Sequence, residues 1–319
     1  MPHLKIATRE SALALWQANF VKDELERMHP NLAVSLVGMT TLGDRWLDAP
    51  LTEVGGKGLF IKELEVAILD GRADLAVHSV KDLPAKLAPG FALPLMGFRA
   101  DVRDALVGGY QNIKDLPQGA RLGTSSARRR AQALALRPDL DVQPIRGNVN
   151  TRLAKLDAGE FDAIILAYAG LLRLGMERTD VFPMAVTDML PAPGQGALGI
   201  ETRQGSDVSA LLEPFLDAKE FNCVLAERGV SAALGGDCSL PIAAHAVLSQ
   251  QGDIRLEALV ASPDGGSIIR SVVEGVGAGH CRCDRLGSRT AYARRKSRHL
   301  SSFAGGVSRP SEAFSAHDG

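Results

Sequence analysis

Short apolar runs alternate with segments whose apolar positions recur every three or four residues through the first 190 residues, the strand–helix rhythm of an α/β protein. "LKIATR", "AVSLVGM" and "ADLAVHS" read as strands. After Ser11 a helix is expected, with Leu13, Trp16 and Phe20 at i, i+3 and i+7, and with Val21, Leu25 and Met28 continuing the apolar side. "IKELEVAILDG" is a second helix. The next stretch repeats the rhythm: "ARLGTSS" ends a strand, "ARRRAQALAL" is a helix, "DVQPIRG" a strand, "TRLAKLDAGE" a helix and "FDAIILAYAG" a strand. "ILDGRADLAVHS" and "KLDAGEFDAIILAYAG" share one order of helix, glycine, Asp and apolar strand, which suggests two similar lobes, roughly 1–97 and 102–190. "MLPAPGQGALGI" has the prolines and glycines of a linker or hinge. A third region starts near 217, where "IRLEALVASPDGGSIIRSVVEG" predicts two alternating strands about an Asp-Gly-Gly turn.

Composition narrows the class. With 319 residues, 45% hydrophobic content and a net charge of −1, the chain has the profile of a soluble multidomain protein without a bulk field for nucleic acid or membrane. Arg9 and Glu10 interrupt any signal-peptide core, and the longest apolar run, 163–172, is too short for a bilayer. Four cysteines do not make a disulfide framework, and Cys281 and Cys283 form only a lone C-x-C. A cytoplasmic protein with reduced thiols is expected. "VGGKGLF" fails the phosphate-loop pattern, because Gly58 stands where Ser or Thr would bind magnesium. It reads as a flexible loop, or as a lid carrying Lys57.

Arginines occupy the places where helices begin. Arg128, Arg129 and Arg130 follow a Ser cap in "GTSSARRR", Arg146 and Arg152 bracket a start in "RGNVNTR", and Arg9 precedes one in "ATRES". Exposed cations there cost about 0.3–1 kcal/mol each. They read either as solvated surface arginines or, at strand-to-helix turns that converge on a crevice, as a site for an anion with several carboxylates or phosphates. On the second reading, Arg128→Leu and Arg146→Leu weaken ligand binding without destabilising the protein. Lys81 and Asp82 end a strand in "VHSVKDLP". They are a surface charge pair or, at the mouth of such a crevice, a general acid/base with its cation. His78 reads as a packed histidine. Cys238, in the loop "GGDCSLPI", reads as a reactive thiol or a small buried hydrophobe, and Cys223 as the latter. Three functions stay open: an enzyme using Cys238 and Asp82, an anion-binding protein of periplasmic-binding-protein type, and a cysteine hydrolase for which His245 is the nearest histidine.

Taken in order, "IATRESALALWQA", "GGKGLF", "DLAVHSVKDLP", "GTSSARRR", "RGNVNTRL", "DAIILAYAGLLRLG", "LPAPGQGALGIE" and "GGDCSLPI" resemble the porphobilinogen deaminase (hydroxymethylbilane synthase) family over about residues 4–275. The resemblance implies an α/β fold of three domains. The first two would be like type II periplasmic-binding-protein lobes with mixed sheets, and the third a smaller α+β domain. It places domain 1 at 1–97 plus 196–216, domain 2 at 98–195 and a cofactor-attachment domain at 217–279. It implies head-to-tail joining of four porphobilinogens with loss of ammonia, by a monomer whose dipyrromethane cofactor is held through a thioether to Cys238. Asp82 would be catalytic. Lys81, Thr124, Ser125, Ser126, Arg128, Arg129 and Arg146 would hold the cofactor, and Arg9, Ser11, Phe60, Arg152, Arg173 and Gln195 the substrate. No metal is implied.

Beyond Gly275 the motifs thin out. Residues 280–319 carry eight Lys or Arg against three Asp or Glu and no persistent apolar stripe. They form an atypical basic tail, expected to be disordered. It is either a binder of something acidic or a translated frameshift or alternative terminus.

Overall fold

Two five-stranded sheets of one plan and a smaller antiparallel sheet carry the chain in a computed structural model that describes residues 3–41, 61–235 and 240–275. The first sheet contains β1 (His3–Arg9), β2 (Ala33–Met39), β3 (Leu75–Ser79), β4 (Phe91–Gly97) and β10 (Leu198–Arg203), in the order β2-β1-β3-β10-β4. The second contains β5 (Asp104–Val107), β6 (Arg121–Gly123), β7 (Asp141–Gln143), β8 (Ala163–Ala167) and β9 (Val181–Pro183), in the order β7-β6-β8-β5-β9. Each sheet begins with three parallel strands, and its fourth strand runs antiparallel to both neighbours. The two segments that share a sequence rhythm end in β3 and β8, which hold the same central position in their sheets.

The helices are α1 (Ala12–Met28), α2 (Lys62–Leu69), α3 (Ala127–Leu136), α4 (Val149–Asp157), α5 (Tyr168–Arg173), α6 (Val208–Leu212) and α7 (Ala218–Ala233). Ser11 caps α1 by accepting from the Ala14 N–H at 3.4 Å. The apolar positions of α1 divide between two sides. Gln17, Ala18, Val21 and Leu25 are buried, with Val21 and Leu25 in a core shared with Ile6, Leu75, Leu198 and Ile200. Leu13, Trp16 and Phe20 are half-buried, with the Trp16 and Phe20 rings stacked at 5.4 Å, and Met28 stays exposed.

Three sequence expectations change. The strand in "FDAIILAYAG" stops at Ala167, and Tyr168 begins a helix, because helical and extended apolar runs look alike in sequence. "DVQPIRG" is extended as a strand only to Gln143, where Pro144 cannot donate to a ladder. In "MLPAPGQGALGI" the connector ends at Ala197. Leu198 opens β10, which lies between β3 and β4 and is buried along nearly its whole length, so its residues show no alternation.

The third sheet, β11 (Ile242–Leu248), β12 (Ile254–Ala261) and β13 (Ile268–Gly275), is antiparallel and packs against α7. Its β12–β13 turn needs glycine at 265: φ is +72°, and a Cβ there would stand 2.4 Å from the Ala131 carbonyl oxygen of α3. Among the described residues no helix is long and apolar enough to cross a membrane. Lys57, Phe60, Cys238 and the 280–319 tail lie outside the described residues.

Candidate active site

The residues singled out in sequence gather at the carboxyl ends of parallel strands, where open α/β sheets place their ligands. Arg9 ends β1 and Ser11 caps α1. Lys81 and Asp82 lie in a 3-10 turn, Val80–Asp82, directly after β3. Thr124, Ser125 and Ser126 link β6 to α3, with Arg128 and Arg129 in that helix's first turn. Arg146 follows β7, and Arg152 sits in α4 behind the Asn148 cap. The three hydroxyls of the β6–α3 turn shape the turn itself. Thr124 accepts from Ser126 N–H at 3.2 Å, Ser125 donates to Ile145 O at 2.7 Å, and Ser126 accepts from Arg129 N–H at 3.4 Å.

One buried charged side chain at the site escaped the sequence reading. Asp104, the first residue of β5, is fully buried. Arg128 Nη1 donates to its Oδ2 at 2.7 Å. Arg129 donates to its Oδ1 through Nε at 3.0 Å and Nη2 at 2.7 Å. Gln195 Nε2 also donates to Oδ1, at 3.0 Å. Burial alone would raise the Asp104 pKa, but the arginine charges overcome it and hold the carboxyl well below its usual range. A lone aspartate opening "RDALV" looks like a surface residue, so no sequence signal marks it.

This corrects the expectation for Arg128. It is not a solvated cation at a helix end, because its side chain is 5% exposed and bound to Asp104 and the Leu190 carbonyl. Arg128→Leu leaves Asp104 Oδ2 without its charged donor, although Arg129 and Gln195 still hold Oδ1, and should lower stability by about 1–3 kcal/mol in urea or thermal unfolding. Arg146 is half-buried, and its replacement should cost less. An Arg128→Leu protein as stable as wild type would refute the buried pair.

Lys81, Asp82, Arg129, Arg146 and Arg152 lie close enough to act on one another. Burial pushes the Lys81 pKa down to about 8, opposed by Asp82 and Asp104 and assisted by Arg129 and Arg128. Burial, Arg129 and Arg146 push Arg152 down to about 10 against the pull of Asp82. Among the described residues, five cations (Lys81, Arg128, Arg129, Arg146 and Arg152) therefore gather around Asp82 and Asp104. Asp82 is exposed and Lys81 half-buried. The convergence of cations beside one exposed carboxylate suits a ligand carrying several carboxylates.

The connector between the sheets fixes the Asp82 turn. Val80 N–H donates to Ala197 O at 3.0 Å. Gly194 has φ +73°, and a Cβ there would meet Val80 Cγ1 at 2.4 Å, so only glycine lets the connector lie against the turn. Gln195 is buried between Asp104 and Val102 O. Arg173, also buried, donates to Phe98 O at 3.1 Å and Gly196 O at 2.7 Å, and its guanidinium lies 5.7 Å over the Trp16 ring. Burial lowers its pKa to about 10. It lines a cavity of about 320 Å³ with Trp16, Phe20, Phe98 and Arg99. Glu227 of α7 accepts from Arg99 at 2.8 Å, Gly194 N–H at 2.7 Å and Ala246 N–H at 2.8 Å, tying the third sheet to the connector.

Other candidates are structural. His78 is buried and 2.9 Å from Glu201. Cys223 is buried, which pushes its thiol pKa up. His245 lies in β11, and burial lowers its pKa to about 4. No group of three or more His, Cys, Asp or Glu among the described residues could hold a metal ion.

Comparison with known proteins gives matches over most of the chain. Residues 4–210 match a family model described as the dipyromethane cofactor binding domain of porphobilinogen deaminase, and residues 221–291 match the C-terminal domain of porphobilinogen deaminase. The second match runs past Gly275, where the motifs thin out. The porphobilinogen deaminase of Thiobacillus denitrificans is 53% identical over 277 residues, 86% of this chain and 90% of that protein. Among solved structures, an amino-acid ABC transporter extracellular-binding protein from Bacillus subtilis aligns with 72% of this chain and 97% of its own, at 12% identity and a TM-score of 0.38. A molybdenum ABC transporter substrate-binding domain from Clostridium difficile aligns with 71% of this chain and 97% of its own, at 11% identity and a TM-score of 0.39.

Proposed function

This chain belongs to the porphobilinogen deaminase family, and we propose that its chemistry is carried by Asp82 in the field of Lys81, Arg129, Arg146 and Arg152. It is a transferase of tetrapyrrole biosynthesis that joins four porphobilinogens head to tail into hydroxymethylbilane with release of ammonia, using a dipyrromethane cofactor. The family does not support the purely anion-binding alternative.

The observation that carries the site assignment is the gathering of Lys81, Arg128, Arg129, Arg146 and Arg152 beside Asp82. It fits a cofactor and a substrate whose pyrroles bear acetate and propionate groups. Lys81, Thr124, Ser125, Ser126, Arg128, Arg129 and Arg146 would hold the cofactor, with Cys238 as its attachment point. When bound, the cofactor supplies the pyrrole α-carbon from which the chain grows. Arg9, Ser11, Phe60, Arg152 and Arg173 would bind substrate, while Gln195, expected among them, is fully buried against Asp104 and Val102 O and would support the site from behind. Arg128 and Arg129 already direct donors at Asp104 and backbone carbonyls, so they act on carboxylates mainly through charge.

Asp82 accepts a hydrogen bond from the pyrrole N–H of the reacting substrate. Loss of ammonia leaves positive charge on that ring, and the carboxylate stabilises it. After the carbon–carbon bond forms, the proton displaced from the pyrrole α-carbon passes to the same carboxylate. The cations raise the local concentration of the anionic substrate. The reading includes a cytoplasmic monomer that binds neither nucleic acid nor membrane. Its domains are 1–97 plus 196–216, 98–195 and 217–279. Intact-mass measurement after incubation with porphobilinogen should show stepwise addition of pyrrole units with ammonia released. A protein whose mass never changes would sink this reading.

Lys81 gives the site a pH dependence. With a pKa of about 8 it is cationic below that pH and neutral above it. The KM for porphobilinogen should therefore rise as pH increases through about 8, while Lys81→Arg, which stays charged, should flatten that rise. A KM in wild type that is level from pH 7 to about 9 would exclude Lys81 from binding the carboxylates of incoming porphobilinogen.

A further inference from the structure

The backbone of Asp104 is fixed by its ladder to Ala167 in β8 and by Met184 N–H, which donates to its carbonyl at 2.8 Å. Its two carboxylate oxygens are divided between partners. Oδ2 takes Arg128, and Oδ1 takes the Nε and Nη2 of Arg129 together with the Gln195 amide. The charged groups acting on it are Arg128 and Arg129 from α3 and Lys81 from the turn after β3. A pair that served only packing would balance one charge with one, and could be replaced by apolar residues. Here one buried carboxylate serves two guanidiniums and lies close enough to act on Lys81 as well. Its position also constrains both guanidinium planes, because each arginine meets a different oxygen.

Resting on the reading of these cations as the carboxylate-binding group, we infer that Asp104 is a positioning residue for the reaction: it fixes Arg128 and Arg129 and, as a shared buried counter-charge, keeps Lys81 cationic toward the carboxylates of cofactor and substrate. Lys81 is faced by Asp82 and Asp104, which favour its charge, and by Arg128 and Arg129, which oppose it. Removing Asp104 should therefore make Lys81 easier to deprotonate, and removing Arg129 should make it harder.

The test reads Lys81 directly. Competitive labelling with trace acetic anhydride across pH, followed by peptide mass spectrometry, gives its midpoint without reference to activity. The midpoint should stand at about 8 in the wild type. It should fall by about one unit in Asp104→Asn and rise in Arg129→Gln. In the cofactor-loaded enzyme, Asp104→Asn should raise the KM for porphobilinogen about tenfold, with a smaller change in kcat. The charge-balanced pair Asp104→Asn with Arg129→Gln should raise KM no more than about twofold beyond Arg129→Gln alone, because both changes remove one arrangement. If Asp104→Asn does not fold, this double variant carries the test, with its Lys81 midpoint expected near the wild-type value. An unmoved midpoint in Asp104→Asn, or KM effects that multiply in the double variant, overturns the proposal. If Arg129→Gln and Lys81→Gln both leave KM unchanged, the carboxylate-binding reading falls and the proposal with it. If they raise KM and Asp104→Asn does not, the proposal falls alone.

Discussion

Asp82→Ala is expected to lower kcat about a hundredfold to a thousandfold while the melting temperature stays near that of the wild type. Asp82 is exposed in a short turn, so its side chain contributes little packing. The turn itself is held by backbone, through Val80 N–H to Ala197 O and Leu83 N–H to Val80 O, and these bonds survive the substitution. What is lost is negative charge beside a developing positive one. Asp82→Glu keeps the carboxylate on a longer arm and should retain part of the rate. Asp82→Asn separates charge from shape: it should resemble Ala in rate and also lower the Lys81 pKa, because Asp82 is one of the two groups that raise it. Single-turnover release of ammonia is the measurement. An Ala variant that releases ammonia at the wild-type rate would remove Asp82 from the mechanism.

Strand-to-helix turns were legible in sequence because their signals are local. Ser11 and Ser126 cap helices where expected, and Arg9, Asp82 and Arg129 stand at carboxyl ends of strands because that is where such turns fall. The partner that organises the arginines was not legible. Asp104 meets Arg128 and Arg129 from 24 and 25 residues away, and Gln195 from 91 residues away. No periodicity encodes a contact of that range. The same limit hid β10, whose near-complete burial erases alternation and whose partners, β3 and β4, precede it by a whole sheet. It also explains why the arginines looked like costly helix-end cations. Their burden is lifted by a carboxylate that lies in another element, so the local rule about helix N-termini gave the wrong sign for stability at Arg128.

Cys238→Ser should yield a folded protein that lacks the dipyrromethane mass and has almost no turnover. The physical case rests on what flanks the attachment loop. On one side, α7 ends at Ala233, and its Glu227 and Arg228 are both anchored. Glu227 holds Gly194 N–H of the connector, and Arg228 donates to Pro84 O at 2.9 Å and Ala85 O at 3.3 Å, just after Asp82. On the other side, β11 begins at Ile242, and its Ala246 N–H is held by the same Glu227. The elements on both sides of the loop are thus tied, through Glu227 and Arg228, to the connector and to the segment just after Asp82. A thiolate forms a bond to carbon that water does not readily cleave, whereas a serine hydroxyl is not ionised at neutral pH and is a poor carbon nucleophile. Cys223→Ser is the control: that thiol is buried, held in its neutral form and remote in role, so its loss should leave the cofactor in place. Intact mass and the Ehrlich colour reaction read both variants. A Cys238→Ser protein that keeps the chromophore, or a Cys223→Ser protein that loses it, would assign the attachment to the wrong cysteine.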